Sequence, residues 1–216
     1  MNPDEHGPTT LSAKGTRLNK RGLETRAHLL RSALRCLAEG GPDAVSASSV
    51  AREAGATWGT VQHQFGDVDG LWAAVLELVL ADRDALTPRT PDSADLADRV
   101  DAILDLLWRA MDLPAARAIH HLRLALPRQR DELEAAYPRT ATAIAHWDEA
   151  WTATVQHAFD GLVVDPTRLS RVRNLLPGAM RGLHNEQFLS TYTDSAEARA
   201  GLAGAITAYL SEEGTR

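Results

Sequence analysis

Thr57, Trp58, Thr60, Gln62 and His63 are the residues of this chain whose types and spacing best suit recognition chemistry. They fall within TWGTVQHQF, where Val61 and Phe65 make an i, i+4 apolar pair that can dock a short helix on a neighbour. The polar and aromatic side chains then mostly face away from that pair. Hydroxyl, amide and imidazole groups on the free face of a short helix can hydrogen-bond base edges, and an indole can pack on a thymine methyl. That combination suits a DNA major groove. Other chemistries lack their residues. The chain has no GxSxG, no Walker-type glycine loop and no dinucleotide fingerprint, so no enzyme activity is expected. His120 and His121 are adjacent, about 100° apart on a helix, which is poor geometry for one metal ion. With no HExxH and no Cys/His cluster, neither a metal nor a cofactor is expected.

The elements that must position this face can be read on either side of it. Ser46 is a good N-cap, and Val50, Ala51 and Ala54 then follow at helical spacing. Gly55 comes after the last periodic residue, where a left-handed backbone ends a helix at little steric cost. Thr57 caps the next helix. Two short helices joined by a tight turn are the result, with the second presenting its outer face.

The stretches TRAHLLRSALRCLAEGGPDAVS and VAREAGATWGTVQHQFGDVDGLWAAVLE resemble the tetracycline-repressor (TetR) family of one-component transcriptional regulators. The family pattern at the second helix is approximately small-Ser-Lys-Gly-Thr-Leu-Tyr-His-His-Phe, followed by Pro or Gly, a polar residue, Lys, and an acidic pair before Leu. Thr57, Gly59, Thr60, His63, Phe65, Gly66, Asp69 and Leu71 match it. Trp58, Gln62 and Val68 replace the usual Lys, Tyr and Lys, positions that commonly touch phosphates in the family. The resemblance implies DNA contacts from Arg26, Ser46, Ser48, Thr57, Trp58, Gly59, Thr60, Gln62 and His63. It implies a homodimeric, ligand-responsive repressor on a palindromic double-stranded operator. The three replacements leave room for an alternative, a small-molecule-binding helical protein whose DNA binding has weakened.

Charge agrees once it is divided along the chain. From Lys14 to Gly66 there are eight Lys and Arg against four Asp and Glu, and from Asp67 onward fifteen against twenty-three. A basic head on an acidic body keeps nucleic acid as a partner although the net charge is −6. The single cysteine, Cys36, reads as a small apolar filler, and no disulfide is expected. With no apolar run near the ~20 residues that span a bilayer and no secretory signal pattern at the start, a cytoplasmic, membrane-free protein is expected.

The expected fold is all-α: an N-terminal three-helix helix-turn-helix head joined to a C-terminal helical bundle for ligand binding and dimerisation. Its parts are a flexible arm over residues 1–20, the DNA-binding head over 21–68 and the body over 69–216. Lys14, Arg17, Lys20 and Arg21 end the arm, which serves either as a solubilising leader or as a source of phosphate contacts. The first helix is expected near 23–39, a fourth from Asp67 to about Leu86, and a break from Thr87 to Ser93. Further helices follow from Asp95 to Met111, from Pro114, and from about Arg128 to Phe159 with Pro138 kinking or dividing it. The last two run from Pro166 to about Leu189 and from Ser195 to about Leu210. Their small residues, Gly178, Ala179, Gly182, Ala203, Gly204 and Ala205, allow close helix approach. The family resemblance implies that this pair forms a four-helix bundle with a second copy, although one monomer core explains the same pattern. Candidates for lining an effector pocket are Trp108, Met111, His120, His121, Arg123, Trp147, Trp151, His184 and Asn185, with Trp147 and Trp151 pointing to a flat or greasy ligand.

Overall fold

The computed structural model describes residues 11–41, 45–82, 93–161, 163–187, 189 and 192–212. Among them the chain is all-α, with ten helices: α1 (Lys20–Gly40), α2 (Ala47–Glu53), α3 (Trp58–Phe65), α4 (Val68–Ala81), α5 (Leu96–Met111), α6 (Pro114–Ala125), α7 (Arg130–Ala136), α8 (Pro138–Ala158), α9 (Pro166–Glu186) and α10 (Ser195–Ser211). Local chemistry sets most ends. Asn19, Ser46, Thr57, Asp67, Asp95, Asp165 and Asp194 each cap a helix by accepting a backbone N–H from its first turn. Pro138 divides the expected long helix by starting α8, where its missing N–H costs nothing. The expected end of α4 near Leu86 and the break after Thr87 lie almost wholly outside the described residues.

Two compact units result, one from Met1–Asp82 with Pro114–Trp147, the other from Arg83–Leu113 with Asp148–Arg216. In the first, α1 packs on α2, α4 and α6, while α3 packs on α2 and α4. Leu29, Ala33, Leu37, Val50, Val61, Leu71, Val75, Ala118 and Leu122 form its buried core. Compactness therefore carries this unit past residue 68, because α4 is apolar almost all round and α6 packs on both α1 and α4. In the second unit α5, α9 and α10 pack on one another, and their core takes in Val155, Ala158 and Phe159.

Of the expected arm, residues 11–20 are described. Residues 11–19 do not simply lead into α1: Leu11 and Arg17 form an antiparallel bridge. The Ser12 N–H donates to the Thr16 carbonyl at 2.8 Å, and the Gly15 N–H to that of Ser12 at 2.9 Å. Gly15 takes φ +75, a left-handed backbone that glycine adopts without strain. Ser12 is buried and its hydroxyl accepts the Thr16 N–H. Composition alone hid this turn, because short hydrogen-bonded turns need no hydrophobic periodicity.

Candidate functional site

The outward face of α3 is the candidate site, and the α2–α3 pair builds it. The Ser46 hydroxyl accepts the Ser49 N–H at 3.0 Å and donates to the Ser49 hydroxyl at 2.8 Å, starting α2. Gly55 sits at φ +58 in the turn that follows. The Thr57 hydroxyl accepts the Thr60 N–H at 3.2 Å and lies 3.0 Å from the Thr60 hydroxyl. Val61 and Phe65 are buried, docking α3 on its neighbours. The other side remains open: Thr57, Gly59, Gln62 and His63 are exposed, and Trp58 keeps 40% of its surface in solvent. Ser48 is also exposed on α2. Thr60 is half-buried beside its cap, so it serves the helix start as well as the face.

Arg26 makes a contact within the protein. Its guanidinium turns inward, donating from Nη1 to the Gln64 carbonyl at 2.7 Å and lying 4.4 Å from the Phe65 ring centroid. Burial pulls its pKa below the ordinary arginine value, with Glu77 opposing. The side chain satisfies a last-turn carbonyl of α3 and ties α1 to it, so it helps to position the candidate face. Gln64 also turns inward, its Nε2 donating weakly to the Gly22 carbonyl at 3.4 Å. Arg35 pairs with Glu53 at 3.3 Å on the surface. Cys36 is half-buried near the Ser49 carbonyl, and burial raises its thiol pKa, as fits an unreactive filler.

Sequence reasoning missed the clamp on the far end of α3. By its position Asp69 suits a helix N-terminus, but it is 8% exposed and holds the start of α8. Its carboxylate accepts the Thr140 N–H at 2.8 Å, the Thr140 hydroxyl at 2.7 Å, and the Arg139 N–H and Nε at 3.1 Å each. Arg139 also donates to the Phe65 carbonyl at 3.3 Å and pairs with Asp67. Burial opposes ionisation of Asp69, yet these donors from Thr140 and Arg139 together outweigh it and hold the pKa below the ordinary carboxylate value. Gly70 is required here: a Cβ would meet the Phe65 carbonyl oxygen at 2.1 Å and the Arg139 Nη1 at 2.6 Å. An acidic pair after Phe65 followed by glycine was the available signal, but its partner lies some seventy residues further along the chain.

The effector candidates fall into two groups. His120, His121, Arg123 and Trp147 belong to the first unit, where His121 Nδ1 contacts the Leu37 carbonyl. Trp108, Met111, Trp151, His184 and Asn185 belong to the second. There Trp108, Met111 and Trp151 pack partly buried on the core, and the His184 ring meets Trp108 edge-on at 5.2 Å. Buried His184 contacts Asp112 through Nε2 at 2.9 Å. The Arg199 guanidinium covers Trp108 at 4.5 Å while pairing with Asp105 at 2.9 Å. The chain passes from one unit to the other at Pro114 and back within α8. No group of three or more His, Cys, Asp or Glu able to hold a metal ion occurs among the described residues, and none of their helices is long and apolar enough to cross a membrane.

Comparison with known proteins points the same way. Residues 29–75 match the family described as bacterial regulatory proteins, tetR family. The HTH-type transcriptional regulator BetI of Burkholderia mallei is 31% identical over 125 residues, covering 58% of this chain and 54% of BetI. The chain thus spans about half the length of the curated relatives it matches. Among solved structures, the multidrug binding protein EbrR, complexed with imidazole, superposes with a TM-score of 0.60 at 22% identity, over 95% of this chain and all of that one. A protein from Saccharomonospora viridis in complex with choline superposes at 0.62 and 18% identity, over 88% and 100%. At these identities the two structures establish the fold.

Proposed function

We propose that the chain is a member of the TetR family of bacterial regulatory proteins, whose pattern residues 29–75 match, and that it is a ligand-responsive transcriptional repressor, working as a homodimer on a palindromic operator. One observation carries the reading: α3 is docked through Val61 and Phe65, while Thr57, Trp58, Gly59, Gln62 and His63 stand in solvent on its other side. Such a helix can enter the major groove, with Gln62 and His63 hydrogen-bonding and Trp58 packing on a thymine methyl or along the sugar–phosphate backbone. Gly59 supports it. A helical glycine costs roughly 0.5–1 kcal/mol relative to alanine, and here only the Thr57 hydroxyl lies within 4 Å of a Cβ position. A close approach by DNA would explain its presence.

The dimer is supported by the outer faces of α9 and α10. Gly178, Gly182, Gly201 and Gly204 are exposed, with nothing within 4 Å of their Cβ positions. Leu175 beside them is 53% exposed. Ala203 instead lies in the core, so only part of the small-residue pattern serves the monomer. Close helix approach by a second copy would use the open glycines and cover Leu175, and a C₂ pair matches a palindrome. The functional division would then be the head over 21–68, preceded by its arm, and the effector and dimer body beyond it. For the effector, the second unit's group of Trp108, Met111, Trp151 and His184 is the proposed site, and the choline bound by the Saccharomonospora protein makes an organic cation the first probe. An effector with unequal affinity for the two arrangements of the heads would shift the dimer off its operator.

Selection of bound sequences from random duplex DNA tests the reading. An enriched palindrome supports it. Failure to enrich any sequence, with protein freed of small molecules by refolding, refutes it and leaves a helical ligand-binding protein without DNA function.

A further inference from the structure

We propose that the turn from Leu11 to Arg17 is a second DNA-contacting element, with Lys14 and Arg17 binding backbone phosphates beside the α3 helix. The inference rests on the DNA-binding reading above. Its observation is a docking contact: the Ala13 N–H donates to the His63 carbonyl at 3.2 Å. Ala13 also packs at the α3 C-terminus, its Cβ lying 3.4 Å from where a Cβ on Gly66 would sit. The turn is closed by its own bonds from Ser12 to Thr16 and Gly15, so it is held to α3 as a formed unit. Lys14 follows Ala13 directly and is exposed, as are Arg17, Lys20 and Arg21.

Two further features favour phosphate as the partner. Arg17 and Lys20 share one open surface with Leu18, Asn19, Leu23 and Glu24. Glu24 is the one acid among those lining residues, so the edge stays cationic. The positions that commonly touch phosphates in relatives carry Trp58, Gln62 and Val68 here, which bear no positive charge. Affinity for duplex DNA depends chiefly on neutralised phosphates. A docked basic turn next to exposed His63 supplies cations that α3 itself lacks.

The test is the salt dependence of binding to the selected duplex. Each neutralised phosphate contributes about −0.9 to the slope of log K against log salt. The double variant Lys14→Gln/Arg17→Gln is expected to flatten that slope by about 1.8. A control with equal charge loss on the same unit, Arg128→Gln/Arg130→Gln, is expected to leave it unchanged. Ala13→Pro keeps every charge and suits the second position of the Ser12–Gly15 turn, but removes the N–H that docks it. It is expected to lose most of the same increment, with circular dichroism unchanged. A wild-type slope in Lys14→Gln/Arg17→Gln, or an equal flattening in the control, overturns the proposal. A wild-type slope in Ala13→Pro overturns the docked geometry. If the wild-type protein binds no duplex at any salt, the repressor reading falls and this inference with it, whereas intact binding with an unchanged slope refutes the turn alone.

Discussion

Replacing Asp69 by alanine is expected to destabilise the first unit by about 2–3 kcal/mol, and the magnitude follows from who its partners are. Thr140 is 0% exposed and supplies two donors, its N–H and its hydroxyl, at 2.8 and 2.7 Å. Hydrogen bonds to a charged group contribute roughly 1.5 kcal/mol or more each; removing the carboxylate leaves the Thr140 N–H buried and unpaired, while the Thr140 hydroxyl keeps the backbone carbonyl of position 69, 3.1 Å away, as an acceptor. The Arg139 side chain is 49% exposed, so solvent screens its share to below about 1 kcal/mol. Urea unfolding at neutral pH measures the sum. The pH dependence gives an independent check on the sign. Asp69 has a folded pKa below its unfolded value, so its contribution is fully present above the unfolded value near ~3.9 and is lost as pH falls through the folded pKa. Asp69→Asn keeps the shape and is expected to remove that part of the acid limb. Because the same clamp holds the Phe65 carbonyl and the α4 start, operator affinity is also expected to fall in both variants. A loss below about 1 kcal/mol in Asp69→Ala, or an unchanged acid limb in Asp69→Asn, refutes the clamp as a stabilising device.

Arg26→Gln is expected to cost about 1–2 kcal/mol of stability by unpairing the Gln64 carbonyl, while leaving the salt slope of DNA binding at the wild-type value; a slope flattened by about 0.9 would identify it as a phosphate contact. Trp58→Ala is expected to weaken operator binding by about 1–3 kcal/mol and to leave the thermal midpoint nearly unchanged, since the ring is substantially exposed; undiminished affinity and sequence preference in gel-shift titration would mean the reading face is misplaced. Gly204→Leu separates a monomer role from a dimer role. Within one chain it gains about 0.8–1 kcal/mol of helix propensity at an open position, but sedimentation is expected to show weakened association; a dimer of unchanged strength would place the interface elsewhere.

Much of the architecture was legible because its signals are local. Caps such as Ser46, Thr57 and Asp67 act within three residues, and Gly55 and Pro138 impose backbone limits wherever they stand, so helix positions and the two-helix motif followed from the sequence. The exposed side of α3 was legible for the same reason, since Val61 and Phe65 already assign its buried side. Tertiary structure alone decided the partners. A guanidinium such as that of Arg26 can face a phosphate or a carbonyl, and only the approach of α3 to α1 selects the carbonyl. Asp69 could be a solvated helix-end charge until α8 brings Thr140 and Arg139 to it. The basic leader looked structureless because its turn depends on a few hydrogen bonds and one contact to His63. Helix formation is governed by neighbours three or four residues apart, whereas pairing between distant polar groups depends on how the packed helices bring them together.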